Sequence, residues 1–98
     1  MNSVLIIDDD KELCALMKKC VEQENLSAVV AYGGLEGLQL LGENKDTCCL
    51  IILDVMMPGM DGFQVLQKIR EKNNVPVLTV FNPAQAAINA SPASFLSS

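Results

Sequence analysis

The chain contains no histidine and no tryptophan, and its four aromatic residues are Tyr32 and three phenylalanines. Basic residues are also scarce, seven against twelve acidic ones for a net charge of −5. Only Lys18 and Lys19 are adjacent. Phosphate backbones are held by clustered Lys and Arg, so this balance argues against a nucleic-acid face. No apolar stretch is long enough to span a membrane, and no internal repeat is visible. The four cysteines, Cys14, Cys20, Cys48 and Cys49, lack both a C-x-x-C spacing and any histidine to complete a metal site. The first apolar run is too short for a secretory signal and meets three aspartates at once. The expectation is a reduced, cytoplasmic, membrane-free chain whose cysteines are packing residues.

At 98 residues, half of them hydrophobic and 19% charged, the chain has room for one small globular domain. Val4-Leu5-Ile6-Ile7 is apolar on both faces, as an interior parallel strand must be, and runs into Asp8-Asp9-Asp10. Leu13, Leu16, Met17, Cys20 and Val21 then recur at helical spacing, and Asn25 is a plausible stop. Residues 28–32 read as a second strand, and Gly33-Gly34 as the turn after it. A second helix follows on Leu35, Leu38 and Leu41, loosened by Gly37 and closed near Gly42. Residues 48–53 form an unbroken apolar run into Asp54, the strongest strand signal in the chain. Residues 55–62, with Pro58, Gly59 and Gly62, must be a loop. Asp61 can cap a third helix on Phe63, Val65, Leu66 and Ile69, and residues 75–81 give a fourth strand opened by Pro76.

This β-α-β-α-β-α-β rhythm predicts an α/β fold, a doubly wound parallel sheet with helices on both faces. Residues 82–98 break the rhythm. They carry no charge but five alanines, four serines and two prolines, which predicts at most a short helix to Ala90 and then a frayed tail. The domain is therefore expected to occupy residues 1–81.

In such sheets ligands sit beyond the carboxyl ends of the strands, where strand order reverses. Asp8, Asp9 and Asp54 all lie at such ends. If the first and third strands are neighbours, three carboxylates converge, and their mutual repulsion calls for a cation or shifted pKa values. With only oxygen ligands on offer, Mg²⁺ is the natural ion. A carboxylate beside Mg²⁺ can also act as a nucleophile towards phosphorus. Asp10 is read as a helix cap.

The acidic cluster, together with Leu53-Asp54-Val55-Met56-Met57-Pro58-Gly59-Met60-Asp61-Gly62, closely resembles the receiver domains of two-component response regulators over about residues 1–80. The resemblance implies a flavodoxin-like receiver fold in which Asp54 accepts a phosphoryl group from a phosphohistidine on a sensor histidine kinase. It implies Mg²⁺ held by Asp54, by Asp9 directly, by Asp8 mainly through water, and by the backbone carbonyl of Met56. It also implies a phosphorelay role and no enzymatic turnover of its own. An aspartate phosphohydrolase would place a general acid two residues after the nucleophile, where Met56 stands.

Three features depart from the family pattern. Receivers carry a Ser or Thr at the end of the fourth strand; here Thr79 stands about two residues early, Phe81 occupies the expected place, and ordinary strand packing competes for Thr79. Receivers carry a lysine after the fifth strand, and none follows Lys72 here. The last β-α unit is expected to be lacking. These departures support an alternative, a switch-defective receiver fragment acting as a dimerisation or domain-swapped binding module through the exposed edge of the fourth strand.

Overall fold

The computed structural model describes residues 2–57 and 61–81. Four strands, β1 (Ser3–Ile7), β2 (Ser27–Ala31), β3 (Cys48–Asp54) and β4 (Val77–Val80), alternate with three helices, α1 (Lys11–Gln23), α2 (Gly34–Glu43) and α3 (Gly62–Lys72). All pairings are parallel and the strand order is β2-β1-β3-β4. The chain leaves β1 towards β2, returns across it to β3 and proceeds to β4, so the order reverses between β1 and β3. The fold is the doubly wound sheet the alternating pattern predicts, in the flavodoxin-like form the resemblance implies.

Side chains alternate across a strand, and the sheet divides its apolar residues accordingly. Leu5, Ile7, Ile51 and Leu53 point to one face, where Leu41 of α2, Val65 and Ile69 of α3 and the loop residue Met57 complete the larger core. Val4 and Ile6 point to the other, against Cys14, Met17 and Val21 of α1. Each buried aliphatic side chain contributes roughly 1.5–3 kcal/mol of transfer free energy. Both faces of β1 are therefore covered, and its unbroken apolar run follows from that.

Three residues expected in the core lie outside it. Leu16 is 60% exposed, Leu35 78% and Phe63 66%. In each helix the buried stripe is rotated from the expected one: Cys14, Met17 and Val21 in α1, Gly34, Gly37 and Leu41 in α2, Val65 and Ile69 in α3. Cys20 is likewise exposed. Gly37 is no loose point, because a Cβ there would come within 2.5 Å of Ile7 Cδ1; the glycine lets α2 lie directly on the sheet. The same holds at Gly62, where a Cβ would meet Val55 Cα at 2.5 Å.

Helix ends follow the residues read as punctuation. Asp10 caps α1 by accepting the Leu13 N–H at 3.1 Å, and Asp61 caps α3 by accepting the Phe63 N–H at 2.9 Å. Asn25, at φ 60°, turns the chain out of α1 in the left-handed conformation Asn tolerates better than most residues. Strand edges shift slightly. β2 begins at Ser27 and ends before Tyr32, and β4 is shorter than expected, with Val75 buried ahead of it and the Pro76 carbonyl accepting the Ile51 N–H. The short helix to Ala90, the frayed tail and the lack of a final β-α unit fall on residues 82–98, outside the described residues.

Candidate functional site

Both strands at the reversal point end in a buried aspartate, and both use the same local device. Asp8 Oδ1 accepts the Asp10 N–H at 2.9 Å, and Asp54 Oδ1 accepts the Met56 N–H at 2.9 Å. An aspartate that bonds the backbone two residues on forms an Asx-turn, which breaks the strand and fixes the carboxylate's orientation at once. The site is thus built by strand ends that stop on their own side chains.

The remaining oxygens face one another. Asp8 Oδ2, Asp9 Oδ1 and Asp54 Oδ2 are buried without a hydrogen-bond partner. Asp8, Asp9 and Asp54 each offer a carboxylate oxygen, and these lie within 4.8 Å of one another. Orphaned buried carboxylate oxygens are costly, and three in one place are costlier still. Burial, reinforced by the charges of Asp54 and Asp9, pushes the Asp8 carboxyl up from 3.8 to about 6, and the Asp10 N–H offsets part of that rise. A cation would reverse this cost. The donor set is oxygen only, as Mg²⁺ prefers.

The neighbouring groups are structural. Cys14 Sγ donates to the Asp8 carbonyl at 3.2 Å, and burial with the nearby carboxylates pushes its thiol up to about 11, so it stays protonated and inert. Cys48 is also held up, mainly by burial. All four cysteines are free. Lys11, the first residue of α1, sets its ammonium 5.3 Å from the centroid of the Tyr32 ring. Neither the Cys14 bond nor the Lys11–Tyr32 contact was foreseen. Cys14 sits four residues after Asp10, one helical turn, which was the available signal.

Asp8, Asp9 and Asp54 are brought together, and Met56 is tied to Asp54 through its own N–H. Thr79 is not with them. It registers with Leu53, one pair short of Asp54, which pairs with Val80. Alternation puts Thr79 on the face of Leu53 rather than that of Asp54, and its side chain is exposed.

A parallel sheet of order β2-β1-β3-β4, with three carboxylates at its point of reversal, is the architecture of receiver domains. The chain belongs to the response regulator receiver domain family, whose sequence model matches residues 4–95. It is 40% identical over 78 residues to the transcriptional regulatory protein CpxR of Escherichia coli K12, covering 80% of this chain and 32% of that protein. The chain thus spans about a third of that relative's length. The receiver domain of the Francisella response regulator 1452 superposes with a TM-score of 0.72 at 30% identity, covering 98% of this chain and 74% of that one. The structure of histidine kinase ThkA in complex with response regulator protein TrrA matches with a TM-score of 0.74 at 26% identity, covering 97% and 79%.

Proposed function

We propose that Asp54 accepts a phosphoryl group from a phosphohistidine of a sensor histidine kinase, with Mg²⁺ held by Asp8, Asp9, Asp54 and the Met56 carbonyl. The observation that carries this reading is the convergence of unpartnered buried oxygens from Asp8, Asp9 and Asp54. Mg²⁺, when bound, offsets the charge of the carboxylates and of the phosphoryl oxygens. The chain's residues do the rest. The Met56 N–H holds the Asp54 carboxylate in one orientation, so little ordering remains before attack. An Asp54 oxygen forms a bond to phosphorus as the phosphorus–nitrogen bond breaks. Its electron pair returns to the imidazole, which takes a proton from solvent, and the product is an acyl phosphate on Asp54. Burial of Asp8 and Asp54 limits competing water. A kinase partner is supported by the family and by the ThkA–TrrA complex. A cytoplasmic setting accords with the free cysteines.

The test is incubation with Mg²⁺ and either acetyl phosphate or beryllofluoride, read by intact mass and by fluorine NMR. An adduct at Asp54 is expected, and loss of both adduct and Mg²⁺ binding would refute the proposal.

A second reading has its own support. Residues 73–98 contain no lysine, and β4 is the outer strand among the described residues, with Leu78 54% and Phe81 60% exposed. A receiver module that fills its acidic pocket but pairs with a second copy along β4 fits these facts. Sedimentation at micromolar concentration decides it, since a monomer excludes pairing.

A further inference from the structure

The furrow between α2 and α3 lies away from the acidic site and is lined by chemistry the phosphoacceptor role does not use. Its upper part is formed by Leu35, Leu38, Asp61, Gln64 and Lys68, its middle by Leu38, Leu41, Lys45, Lys68 and Lys72, and its lower part by Lys45, Asp46, Arg70, Glu71 and Lys72. The three hollows lie in succession, sharing Leu38 and Lys68 above and Lys45 and Lys72 below, and the middle one encloses about 280 Å³. Helix α3 has 11 residues, so the furrow runs roughly 16 Å at 1.5 Å per residue. Four of the chain's seven basic residues gather here, in a molecule of net charge −5.

The lysines are available. Arg70 is committed, donating to the carbonyls of Asn73 and Val75. Among the described residues Lys45, Lys68 and Lys72 make no ion pair within 4.0 Å, although Asp61 lines the upper part and Asp46 and Glu71 the lower mouth. Lys68 and Lys72 are four residues apart and so stand on one side of α3. Opposite them α2 presents Leu35, 78% exposed, above the half-buried Leu38 and the buried Leu41. An apolar ridge facing an unpaired cationic row matches a ligand with the converse pattern.

We propose that this furrow docks an acidic amphipathic helix of a partner protein, its leucine-type side chains on Leu35 and Leu38 and its carboxylates against Lys45, Lys68 and Lys72. Charge complementarity selects this occupant: a second copy of the chain would bring its own net negative charge but no described helix with an apolar stripe flanked by acidic residues alone. A small anion would leave the leucines unused. The docking is independent of the chemistry at Asp54.

The probe is a fluorescein-labelled peptide of about three helical turns, ~11 residues, with leucine on one stripe and glutamate elsewhere. Fluorescence anisotropy on the full chain is expected to give saturable binding that weakens with salt. The double variant Lys68→Glu/Lys72→Glu should weaken it about tenfold or more, as lost charge pairing at an interface does. Leu35→Ser, at a position too exposed to disturb the core, should also weaken it. Lys18→Glu/Lys19→Glu, on α1, changes net charge equally and should leave binding intact. Equal losses in both double variants overturn the proposal in favour of non-specific charge attraction. Displacement by pyrophosphate with no effect of Leu35→Ser overturns it in favour of a simple anion site, and absence of saturable binding at millimolar peptide overturns it outright.

Discussion

The ends of β1 and β3 differ sharply from the end of β4, although all three lie at the same edge of one sheet. β1 and β3 each stop in a fully buried aspartate that clasps the N–H two residues on. β4 stops at Val80 and the exposed Phe81, with Thr79 one register position behind. The same strand-end geometry thus carries carboxylates on the two strands that flank the reversal point and apolar side chains on the strand beside them. If Asp54 takes the phosphoryl group as proposed, accepting it and responding to it are separate demands, and among the described residues the buried carboxylates bear on the first.

The sharpest way to break this contrast is Asp54→Asn, which keeps the shape of the β3 end but removes the nucleophile. No adduct with acetyl phosphate should form on any residue, as intact mass reads directly. Next in size is the core beneath the site. Ile69→Ala should cost about 2–5 kcal/mol in urea unfolding, whereas Leu78→Ala on exposed β4 should stay near 0.5 kcal/mol or below.

The β1 end gives a pH-dependent effect. Asp8 binds its proton more tightly folded than unfolded, so the stability it contributes is complete below pH 3.8 and is lost as pH rises through about 6. Without Mg²⁺ the protein should therefore be more stable at pH 5 than at pH 7, by about 1 kcal/mol. Asp8→Asn should remove that dependence and stabilise the metal-free protein at neutral pH, while weakening Mg²⁺ binding. Thermal unfolding across pH, with and without Mg²⁺, checks both signs. A modest effect belongs to the helix cap: Asp10→Ala should cost about 1 kcal/mol and leave phosphorylation at Asp54 in place, separating the third aspartate of the cluster from the two that flank the site.

Much of this was legible in the residues. Apolar runs ending in aspartate located β1 and β3, and the alternating rhythm gave a parallel sheet; that β1 and β3 are neighbours, and so that Asp8, Asp9 and Asp54 meet, was a condition the rhythm left open and the receiver resemblance implied. The caps at Asp10 and Asp61 follow from local hydrogen bonding, which sequence encodes directly. The rotation of the helices was not legible. In α1 the apolar residues Leu13, Leu16, Met17, Cys20 and Val21 are compatible with more than one stripe. A contact across the fold, the Cys14 thiol on the Asp8 carbonyl, accompanies the stripe that is buried. Two residues along a helix turn the side chain by about 200°, so placing Cys14 inward sends Leu16 out. Gly37 was misread for a related reason: its value lies in the approach of Ile7, a partner 30 positions away. The register of β4 is likewise a tertiary property, which is why Thr79 could be judged only by its distance from Pro76.

The bare contact between Gly62 and Val55 has one further consequence. The first turn of α3 rests on backbone immediately following Asp54, with no side chain between them to absorb a displacement. Strand end and helix start are mechanically coupled there, as two plates in contact are. Any side chain larger than hydrogen at residue 62 would act as a wedge holding the two apart.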